Sequence, residues 1–273
     1  MSGETSSSNG DARAALLEAL RADPARTAIL TDIDGTLAPI VERPEQAAVP
    51  ERASALLAAL AERYRLVGCV SGRRAEEAQR LVGVDSIAYA GNHGLELLLP
   101  GDTAPRPDPS LSGRESGAAD FLAGLDGGEL GSLGLRTEDK GPIQALHWRG
   151  AADERAAESR AHEIAADAGR AGLEPHWGRK VLEVRPAGGG GKDTAVAALL
   201  GADGVTAAAY AGDDRTDLDA FRRLRYLREN GQLSSALCVG VTSPEGPSEI
   251  AEESDLRVEG PEGWIAILES LAA

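Results

Sequence analysis

Aromatic residues make up only 3% of this chain of 273 residues, and cysteine occurs only twice. Hydrophobic residues still account for 42% of the sequence, so Ala, Leu, Val and Gly must do most of the packing in the core. The two cysteines, Cys69 and Cys238, lie in apolar runs typical of strands, and we expect reduced core residues in a cytoplasmic protein. A disulfide bridge between them is the alternative that the sequence leaves open.

The chain also lacks long hydrophobic segments, and its basic residues are fewer than its acidic ones. No apolar stretch reaches the length that spans a membrane, and the N-terminus lacks the pattern of a signal peptide, so we expect no membrane partner. Acidic residues number 44 and basic residues 28, which gives a net charge of −16 and argues against nucleic acid as a partner. A small anionic substrate is still compatible with this charge, because a bound cation can reverse its sign inside a cleft.

Two carboxylates one residue apart, Asp32 and Asp34, end an apolar run at 27–30 that predicts a buried strand. Strand side chains alternate, so both acids are expected on one face, and Gly35 allows the chain to turn away. Adjacent acids repel unless a cation lies between them, which predicts a Mg²⁺ site with one carboxylate available as nucleophile and the other as acid or base. An EF-hand calcium loop is excluded because its twelfth position would be Arg43. An acid pair that caps a turn is the alternative for this motif alone.

Predicted strands and helices alternate along two parts of the chain. Residues 27–99 alternate apolar strand-like runs with helical segments, and the alternation resumes from residue 193 to residue 271. Such alternation is typical of an α/β fold with a parallel sheet, in which functional sites form at the carboxyl ends of the strands. We therefore expect the chemistry of this protein at that edge of the sheet.

A different pattern separates these two parts. Segments rich in Gly and Pro mark two crossings at 101–117 and 186–191, and predicted strands lie between them with a long Ala-rich helix at 152–171. Because both chain ends return to one core, the pattern is typical of a domain insertion. We predict disordered residues 1–10, a core of residues 11–104 and 185–273, and an inserted α+β lid, or cap, of residues 105–184.

Two further positions suit a phosphate group. Ser71 lies between a predicted strand and a helix, where a hydroxyl and a backbone amide can bind phosphate. Lys192 lies at a helix start after a run of glycines, but Pro186 and Asp193 stand where a nucleotide P-loop needs Gly and Ser or Thr. Lys192 is therefore interpreted as neutralising a phosphate or holding two carboxylates apart, with a solvated surface lysine as the alternative.

A second acidic run follows another predicted strand. Residues 213–219 contain four acids, Asp213, Asp214, Asp217 and Asp219, which would repel one another if they only decorated a surface. We predict metal binding for Asp213 and Asp214. For Asp217 the alternative is a structural role as the N-cap of the helix that follows.

The order of these motifs resembles the four motifs of the haloacid dehalogenase phosphatase superfamily: Asp-x-Asp at 32–34, Ser71, Lys192 and Gly-Asp-Asp at 212–214. Longer strings are similar to those of trehalose-6-phosphate phosphatases, namely the segments 91–96, 138–141, 147–149, 178–186 and 212–217. The chain departs from that family at Asp193, where Gly is usual, and at Leu218, where Glu is usual, and neither change removes a catalytic group. The resemblance implies a Rossmann-like parallel-sheet core of the haloacid dehalogenase type with an inserted α+β cap.

The resemblance also implies roles for the core residues. Asp32 would be the nucleophile that forms an aspartyl-phosphate, and Asp34 would act first as general acid and then as general base. Ser71 and Lys192 would bind the phosphate oxygens.

Mg²⁺ is the cofactor that the resemblance implies. Its ligands would be the Asp32 carboxylate, the Asp34 backbone carbonyl and Asp213. Asp214 and Asp217 would lie behind these ligands and order the metal-bound waters.

By the same resemblance, both parts of the chain would bind a sugar phosphate. The substrate-binding residues of the core would be Gly72, Arg73, Asn92 and His93. Those of the cap would be Glu138, Lys140, Arg149 and Glu183. For His147 and Trp148, ligand contact and packing within the cap sheet are both open.

The implied function is Mg²⁺-dependent hydrolysis of trehalose 6-phosphate to trehalose and phosphate. Two alternatives are left open: the same chemistry on another disaccharide or pseudo-disaccharide phosphate of an antibiotic pathway, and a catalytically silent sugar-phosphate sensor. The intact set of Asp32, Asp34, Lys192 and Asp213 argues against the sensor. A trehalose-phosphate synthase is the protein partner that the pathway suggests.

Overall fold

The computed structural model describes residues 4–41, 46–178, 180–188, 190–201 and 204–273. The helices are α1 Glu4–Arg21, α2 Glu51–Arg63, α3 Ala75–Val82, α4 Gly117–Ala123, α5 Gly127–Ser132, α6 Glu154–Arg170, α7 Lys192–Leu200, α8 Arg215–Glu229, α9 Ser248–Glu253 and α10 Gly260–Ala272. The strands are β1 Thr27–Thr31, β2 Leu66–Val70, β3 Ala88–Gly91, β4 Glu96–Leu98, β5 Arg106–Pro107, β6 Arg136–Lys140, β7 Ile143–His147, β8 Leu173–Gly178, β9 Val181–Pro186, β10 Ala207–Gly212, β11 Ser235–Thr242 and β12 Leu256–Glu259.

The chain forms two compact units. The first contains residues up to Arg106 together with Gly191–Ala273, and the second is the intervening segment Pro107–Gly190. From the sequence we expect the corresponding boundaries at 104/105 and 184/185.

A sheet with the strand order β12-β11-β10-β1-β2-β3-β4-β5 runs through the first unit. Neighbouring strands from β12 to β3 are parallel, and β4 is antiparallel to β3. All residues of β1 are buried, because apolar layers cover both faces of the sheet. The predicted α/β fold with a parallel-sheet core is therefore confirmed.

The two apolar layers differ in the helices that they contain. Ile29 of β1 belongs to the layer that includes α2 and α10, whereas its neighbour Leu30 faces α7 and α8 on the other side. Trp264 of α10 is fully buried in the first layer, and its Nε1 donates a hydrogen bond to Thr31 Oγ1 at 3.0 Å. This contact ties the last helix of the chain to the end of the central strand β1.

The second unit has a four-stranded antiparallel sheet in the order β6-β7-β9-β8. Apolar side chains of β7 and β9 pack with those of α4 and α6 in a separate core cluster. The opposite face of this sheet has no helix of the second unit against it among the described residues, and its side chains are largely polar.

Several features of the fold differ from the sequence-based expectations. Helix α1 begins at Glu4, so it includes residues 4–10, for which we predict disorder; once the Ala-rich turns that follow have formed, each added residue extends an existing helix without a new nucleus. Residues 1–3 of that prediction lie outside the described residues. The short helix α5 is not predicted, because its glycines obscure an N-cap at Asp126, which accepts from Gly128 N and Glu129 N.

Cys69 and Cys238 are both buried free thiols. None of the described helices combines the length and hydrophobicity needed to cross a membrane.

Replacing Trp264 with Ala is expected to lower the free energy of unfolding by about 3–5 kcal/mol, because it leaves a cavity and removes the hydrogen bond to Thr31. Urea unfolding followed by circular dichroism measures the change. Tyr226→Ala is the matched control in the same unit, since its side chain is 54% exposed, and we expect a loss of about 0.5 kcal/mol there. Equal losses in the two variants would contradict the packing assigned to Trp264.

Candidate active site

Polar side chains gather where the central strands of the first unit end. Thr31 of β1 pairs with Ala211 of β10, and the next residue, Asp32, donates its backbone N–H to the Ala211 carbonyl at 2.8 Å. Asp213 follows β10 and Ser71 follows β2, which is the other neighbour of β1. The parallel register therefore brings three of the predicted site residues to one edge of the sheet.

A glycine turn shapes the space between the two acidic loops. Gly35 has a φ of +91°, and a Cβ added there would lie 2.0 Å from Asp213 Oδ2. Thr36, the next residue, donates its hydroxyl to Asp213 Oδ1 at 3.0 Å. The Asp213 carboxylate is thus held directly against the turn that follows Asp32, which only glycine permits.

The two acids of the first motif face different partners. Strand β1 ends at Thr31, one residue before Asp32, so the strand alternation behind the expectation of a shared face does not extend to these two acids. Asp32 contacts Lys192, whereas both carboxylate oxygens of Asp34 accept from Arg73, at 2.7 Å from Nε and 2.8 Å from the second terminal nitrogen. Arg73 also contacts Glu77 at 3.0 Å.

Lys192 is buried between two carboxylates. Its Nζ donates to Asp32 Oδ1 at 2.6 Å and to Asp217 Oδ1 at 2.7 Å, and the residue is only 4% exposed. Burial alone would lower the pKa of Lys192, but the charges and hydrogen bonds of Asp217 and Asp32 outweigh burial and raise the pKa above its usual value. Lys192 is therefore a fixed positive charge, and the alternative of a solvated surface lysine is excluded.

Asp217 accepts four hydrogen bonds. Its Oδ1 accepts from Lys192 Nζ and from the Tyr210 hydroxyl at 2.6 Å, and its Oδ2 accepts from the backbone N–H groups of Asp213 at 3.1 Å and Asp214 at 2.9 Å. Helix α8 begins at Arg215, so Asp214 is its N-cap and Asp217 occupies the third helical position of a capping box. The alternative of Asp217 as N-cap is wrong, because the helix starts earlier than Leu218.

Three acids of this edge lie close enough to hold one metal ion. Asp32, Asp213 and Asp217 each offer a carboxylate oxygen, and these oxygens lie within 4.8 Å of one another. A carboxylate has about four acceptor positions, and those of Asp217 are already occupied by donors, so Asp32 and Asp213 are the available ligands. Two hard oxygen donors beside Gly35 suit a divalent ion such as Mg²⁺.

Burial and mutual repulsion change the ionisation of these acids. Burial raises the pKa of Asp32 well above its usual value; Lys192 opposes this increase, whereas Asp217 and Asp213 add to it. Burial and the charge of Asp217 raise the pKa of Asp213 to about 7, although the hydrogen bond from Thr36 lowers it. The site therefore binds protons more readily than ordinary aspartates do.

A tight loop at 92–94 joins the segment that begins at Ser71 to helix α7, which contains Lys192. Asn92 and His93 have positive φ angles of 50° and 56°. The His93 N–H donates to the Ser71 carbonyl at 2.9 Å, and the His93 carbonyl accepts from Gly191 N at 2.7 Å. A Cβ at Gly72 would lie 2.7 Å from His93 Nε2, so the imidazole packs on that glycine. The predicted residues Ser71, Gly72, Asn92 and His93 are thus brought together, next to the start of α7.

Three predicted cap residues share one face of the sheet in the second unit. Glu138 and Glu183 both pair with Ala145 of β7, and Lys140 lies two residues from Glu138 on the same strand. Lys140 Nζ donates to Glu183 Oε1 at 3.0 Å, and Arg185 donates to Glu183 Oε2 at 2.6 Å. The sheet face opposite α4 and α6 therefore carries charged side chains that are held in place by ion pairs with one another.

The three remaining cap predictions, at the end of β7 and just after it, have different surroundings. His147 lies on the face of Glu138, with its Nε2 2.7 Å from Glu138 Oε2. Trp148 is 3% exposed and belongs to the core cluster of the unit, so it has a packing role. Arg149 lies in the turn that follows, where its carbonyl accepts from Arg136 at 3.4 Å.

Three contributors to this network are not among the predicted site residues: Thr36, Glu77 and Tyr210. Thr36 is part of the first motif, and its position beside the acid pair could have suggested a contact with a second acid. Glu77 is four residues after Arg73, a spacing that could have suggested their ion pair, whereas Tyr210 lies in a buried strand of alanines and carries no local signal of its contact.

The family model described as trehalose-phosphatase matches residues 30–110 and 133–258. The trehalose-phosphate phosphatase of Mycobacterium avium is 33% identical over 253 residues, which cover 86% of this chain and 64% of that protein. An uncharacterized glycosyl hydrolase of Mycobacterium tuberculosis is 34% identical over 209 residues, covering 74% of this chain and 15% of that protein. The chain thus spans less than two thirds of the length of either relative.

A solved structure with the same fold is the C-terminal domain of trehalose-6-phosphate phosphatase from C. albicans. The TM-score is 0.74, with 19% sequence identity, and the match covers 95% of this chain and 96% of that one.

Gly35→Ala is expected to weaken binding of Mg²⁺ by about ten-fold or more, measured by isothermal titration calorimetry, because the new methyl group displaces the Asp213 carboxylate. Gly83→Ala is the matched control: Gly83 also has a positive φ, of +72°, but no atom lies within 4 Å of its added Cβ. Both variants place an alanine at a positive φ, so equal Mg²⁺ affinities would show that the contact with Asp213 is unimportant.

The stability of the metal-free protein is expected to fall as the pH rises through about 7. Asp213 has a pKa of about 7 when folded, above its usual 3.8, so the folded state binds more protons than the unfolded state between these values and is favoured at the lower pH. Mg²⁺ needs ionised ligands, so its stabilising effect should be larger at about pH 8 than at about pH 6. Melting temperatures in EDTA and in Mg²⁺ test both effects.

Asp213→Asn is the control for this pH dependence, because it removes the titrating group and the negative charge of one metal ligand together. The difference in melting temperature between the wild type and this variant should therefore vary with pH. A Mg²⁺ effect of equal size at both pH values would contradict the assignment.

Proposed function

The chain belongs to the trehalose-phosphatase family, and from this premise we propose that it hydrolyses trehalose 6-phosphate to trehalose and phosphate. The most direct support is the buried contact of 2.6 Å between Lys192 Nζ and the Asp32 carboxylate, beside Asp213. A phosphatase of this kind needs a carboxylate nucleophile and a fixed positive charge within reach of the same phosphate. The site has both.

Electrostatic repulsion is the first obstacle to this reaction. At an effective dielectric constant near 20, two like unit charges ~4 Å apart repel by about 4 kcal/mol, and a phosphate dianion would meet several carboxylates here. Lys192 offsets part of this repulsion, and it does so without reorganising, because two carboxylates already hold it in place.

Asp32 is the proposed nucleophile. One of its carboxylate oxygens forms a bond to phosphorus while the bond between phosphorus and the sugar oxygen breaks, and Asp34 donates a proton to that departing oxygen. Water then attacks the phosphorus of the aspartyl-phosphate, Asp34 accepts a proton from this water, and the bond to the Asp32 oxygen breaks. The second step releases inorganic phosphate and restores the Asp32 carboxylate.

The ion pair of Asp34 with Arg73 adds a condition to this scheme. Both carboxylate oxygens of Asp34 already accept hydrogen bonds from Arg73, so neither is free to donate a proton to the sugar oxygen while this contact persists. We propose that the substrate phosphate draws Arg73 toward itself, in accord with the substrate-binding role expected of Arg73, and thereby releases Asp34 for proton transfer.

Mg²⁺ is the proposed cofactor. The carboxylates of Asp32 and Asp213 and the backbone carbonyl of Asp34 would hold it, and Asp214 and Asp217 would order the surrounding groups. When bound, the ion would supply positive charge that offsets the charge of the phosphate group.

The residues that we propose for recognition of the disaccharide occur in each of the two units. The polar face formed by Glu138, Lys140 and Glu183 offers carboxylates and an ammonium to sugar hydroxyls, and Arg149, Gly72, Asn92 and His93 keep their proposed substrate contacts. Because these groups recognise hydroxyls in general, another disaccharide phosphate is the alternative substrate. A cytoplasmic location and a synthase partner stay predictions.

Phosphate release from a panel of sugar phosphates tests the proposal, with Mg²⁺ and with EDTA. We expect trehalose 6-phosphate to be hydrolysed with the highest kcat/KM, and EDTA to abolish the reaction. Asp32→Asn should lower kcat by about 10⁴-fold or more, because it removes the nucleophile, while circular dichroism remains that of the wild type.

Three results would contradict the proposal in different ways. Preference for a different disaccharide phosphate would change the substrate but keep the chemistry. No release from any substrate, with sugar phosphate still bound, would indicate a sensor. Near-normal activity of Asp32→Asn would exclude Asp32 as the nucleophile.

A further inference from the structure

Tyr210 connects the apolar core of the first unit to the acidic site. Tyr210 lies in β10 and is fully buried. Its ring contacts Phe221 of α8 edge-on, with ring centroids 6.0 Å apart. At the other end of the ring, the hydroxyl donates to Asp217 Oδ1 at 2.6 Å. The side chain therefore has an apolar body and a single polar contact directed at the site.

The hydroxyl shares its acceptor atom with the ammonium of Lys192. Asp217 Oδ1 accepts from both groups, while Oδ2 accepts from two backbone N–H groups. Burial and the charge of Asp217 raise the pKa of Tyr210 well above its usual value, so the phenol keeps the proton that it donates. Each acceptor position of Asp217 is thus matched by a donor in a fixed direction.

We propose that Tyr210 is a positioning residue for the phosphatase reaction: its hydroxyl fixes the Asp217 carboxylate, and Asp217 in turn holds Lys192 Nζ against Asp32. This inference rests on the proposed function and adds a residue that touches neither substrate nor metal. By donating to Asp217, Tyr210 determines how strongly the Asp217 carboxylate draws the Lys192 ammonium away from Asp32.

Removing the hydroxyl leaves a carboxylate oxygen of Asp217 with one donor fewer in a buried place. The oxygen then attracts Lys192 more strongly, and the ammonium moves away from its position on Asp32. The charge on the phosphate oxygens is spread in the transition state, where a correctly placed ammonium matters most. The expected effect is therefore on kcat more than on KM.

Tyr210→Phe tests this inference because it removes one oxygen and keeps the ring contact with Phe221. With trehalose 6-phosphate and Mg²⁺, we expect kcat to fall by about 10- to 100-fold and KM to stay within about three-fold. On an Asp217→Ala background the same change should alter kcat by less than about two-fold, because the acceptor through which Tyr210 acts is gone.

Tyr89→Phe is the matched control. Tyr89 is also fully buried in the first unit, and its hydroxyl donates to the Val84 carbonyl at the same distance of 2.6 Å, away from the acids. Both Phe variants lose one buried hydrogen bond, so both should lower the melting temperature, but kcat should fall only in Tyr210→Phe. Equal kcat values in the two variants would overturn the inference.

A second measurement does not require catalysis or metal. The chain has only three lysines, Lys140, Lys180 and Lys192, so ¹⁵N-lysine labelling gives few side-chain signals. In metal-free protein at low temperature, we expect a protected ammonium signal from buried Lys192 in the wild type and in Tyr89→Phe, and its loss or shift in Tyr210→Phe. An unchanged signal in Tyr210→Phe would overturn the inference.

The two measurements also separate this inference from the proposed function. If the wild type releases no phosphate from any sugar phosphate, the proposed function fails, and the Lys192 signal still decides whether Tyr210 positions the ammonium. If the wild type is active and both the kcat and the signal of Tyr210→Phe match those of Tyr89→Phe, only the role of Tyr210 fails.

Discussion

The ammonium of Lys192, buried between Asp32 and Asp217, is the contact on which the rest of the site depends. Three carboxylates have oxygens within 4.8 Å of one another at this edge of the sheet. Without a cation among them, such buried acids would take up protons or repel one another. Lys192 is also the only lysine of the first unit's sequence, so no other ammonium there can replace it.

Backbone hydrogen bonds support this ion pair from the loop after β10, and others connect the loops that lie beside it. Asp217 accepts from the N–H groups that follow β10, and the loop at 92–94 joins the segment after β2 to the start of α7. Asn92 and His93 adopt left-handed backbone conformations, which cost about 1–3 kcal/mol each and persist only where surrounding contacts hold them. Backbone strain is thus concentrated in the loop that lies beside Ser71 and Lys192, as is usual near reactive groups.

The second unit orders its polar groups by a different means. Glu183 accepts from both Lys140 and Arg185, so the orientation of its carboxylate is set by two cations on the same sheet face. Groups that are ordered before a ligand arrives lose less conformational freedom when they bind it. The carboxylate of Glu183 is therefore held in one direction by two contacts on its own face.

The order of motifs along the chain is sufficient to predict much of this protein. Apolar runs that alternate with helices predict a parallel sheet, and the acids and Ser71 that follow three strands predict one site, because the carboxyl ends of parallel strands meet at one edge. The alternation of side chains along β6 and β9 likewise brings Glu138, Lys140 and Glu183 to one face. Helix α1 and the start of α8 are less predictable, since helix ends depend on a few hydrogen bonds at the caps.

Only the packed structure decides which side chains become partners. Arg73 contacts Asp34, Tyr210 contacts Asp217, and Trp264 contacts Thr31, yet nothing in the local sequence around Tyr210 or Trp264 distinguishes it from an ordinary core residue. Lys192 and Asp32 are 160 positions apart, and Trp264 and Thr31 are 233 apart. Periodicity is a local property, whereas these hydrogen bonds depend on how strands and helices pack, so their partners emerge only when the elements meet in three dimensions.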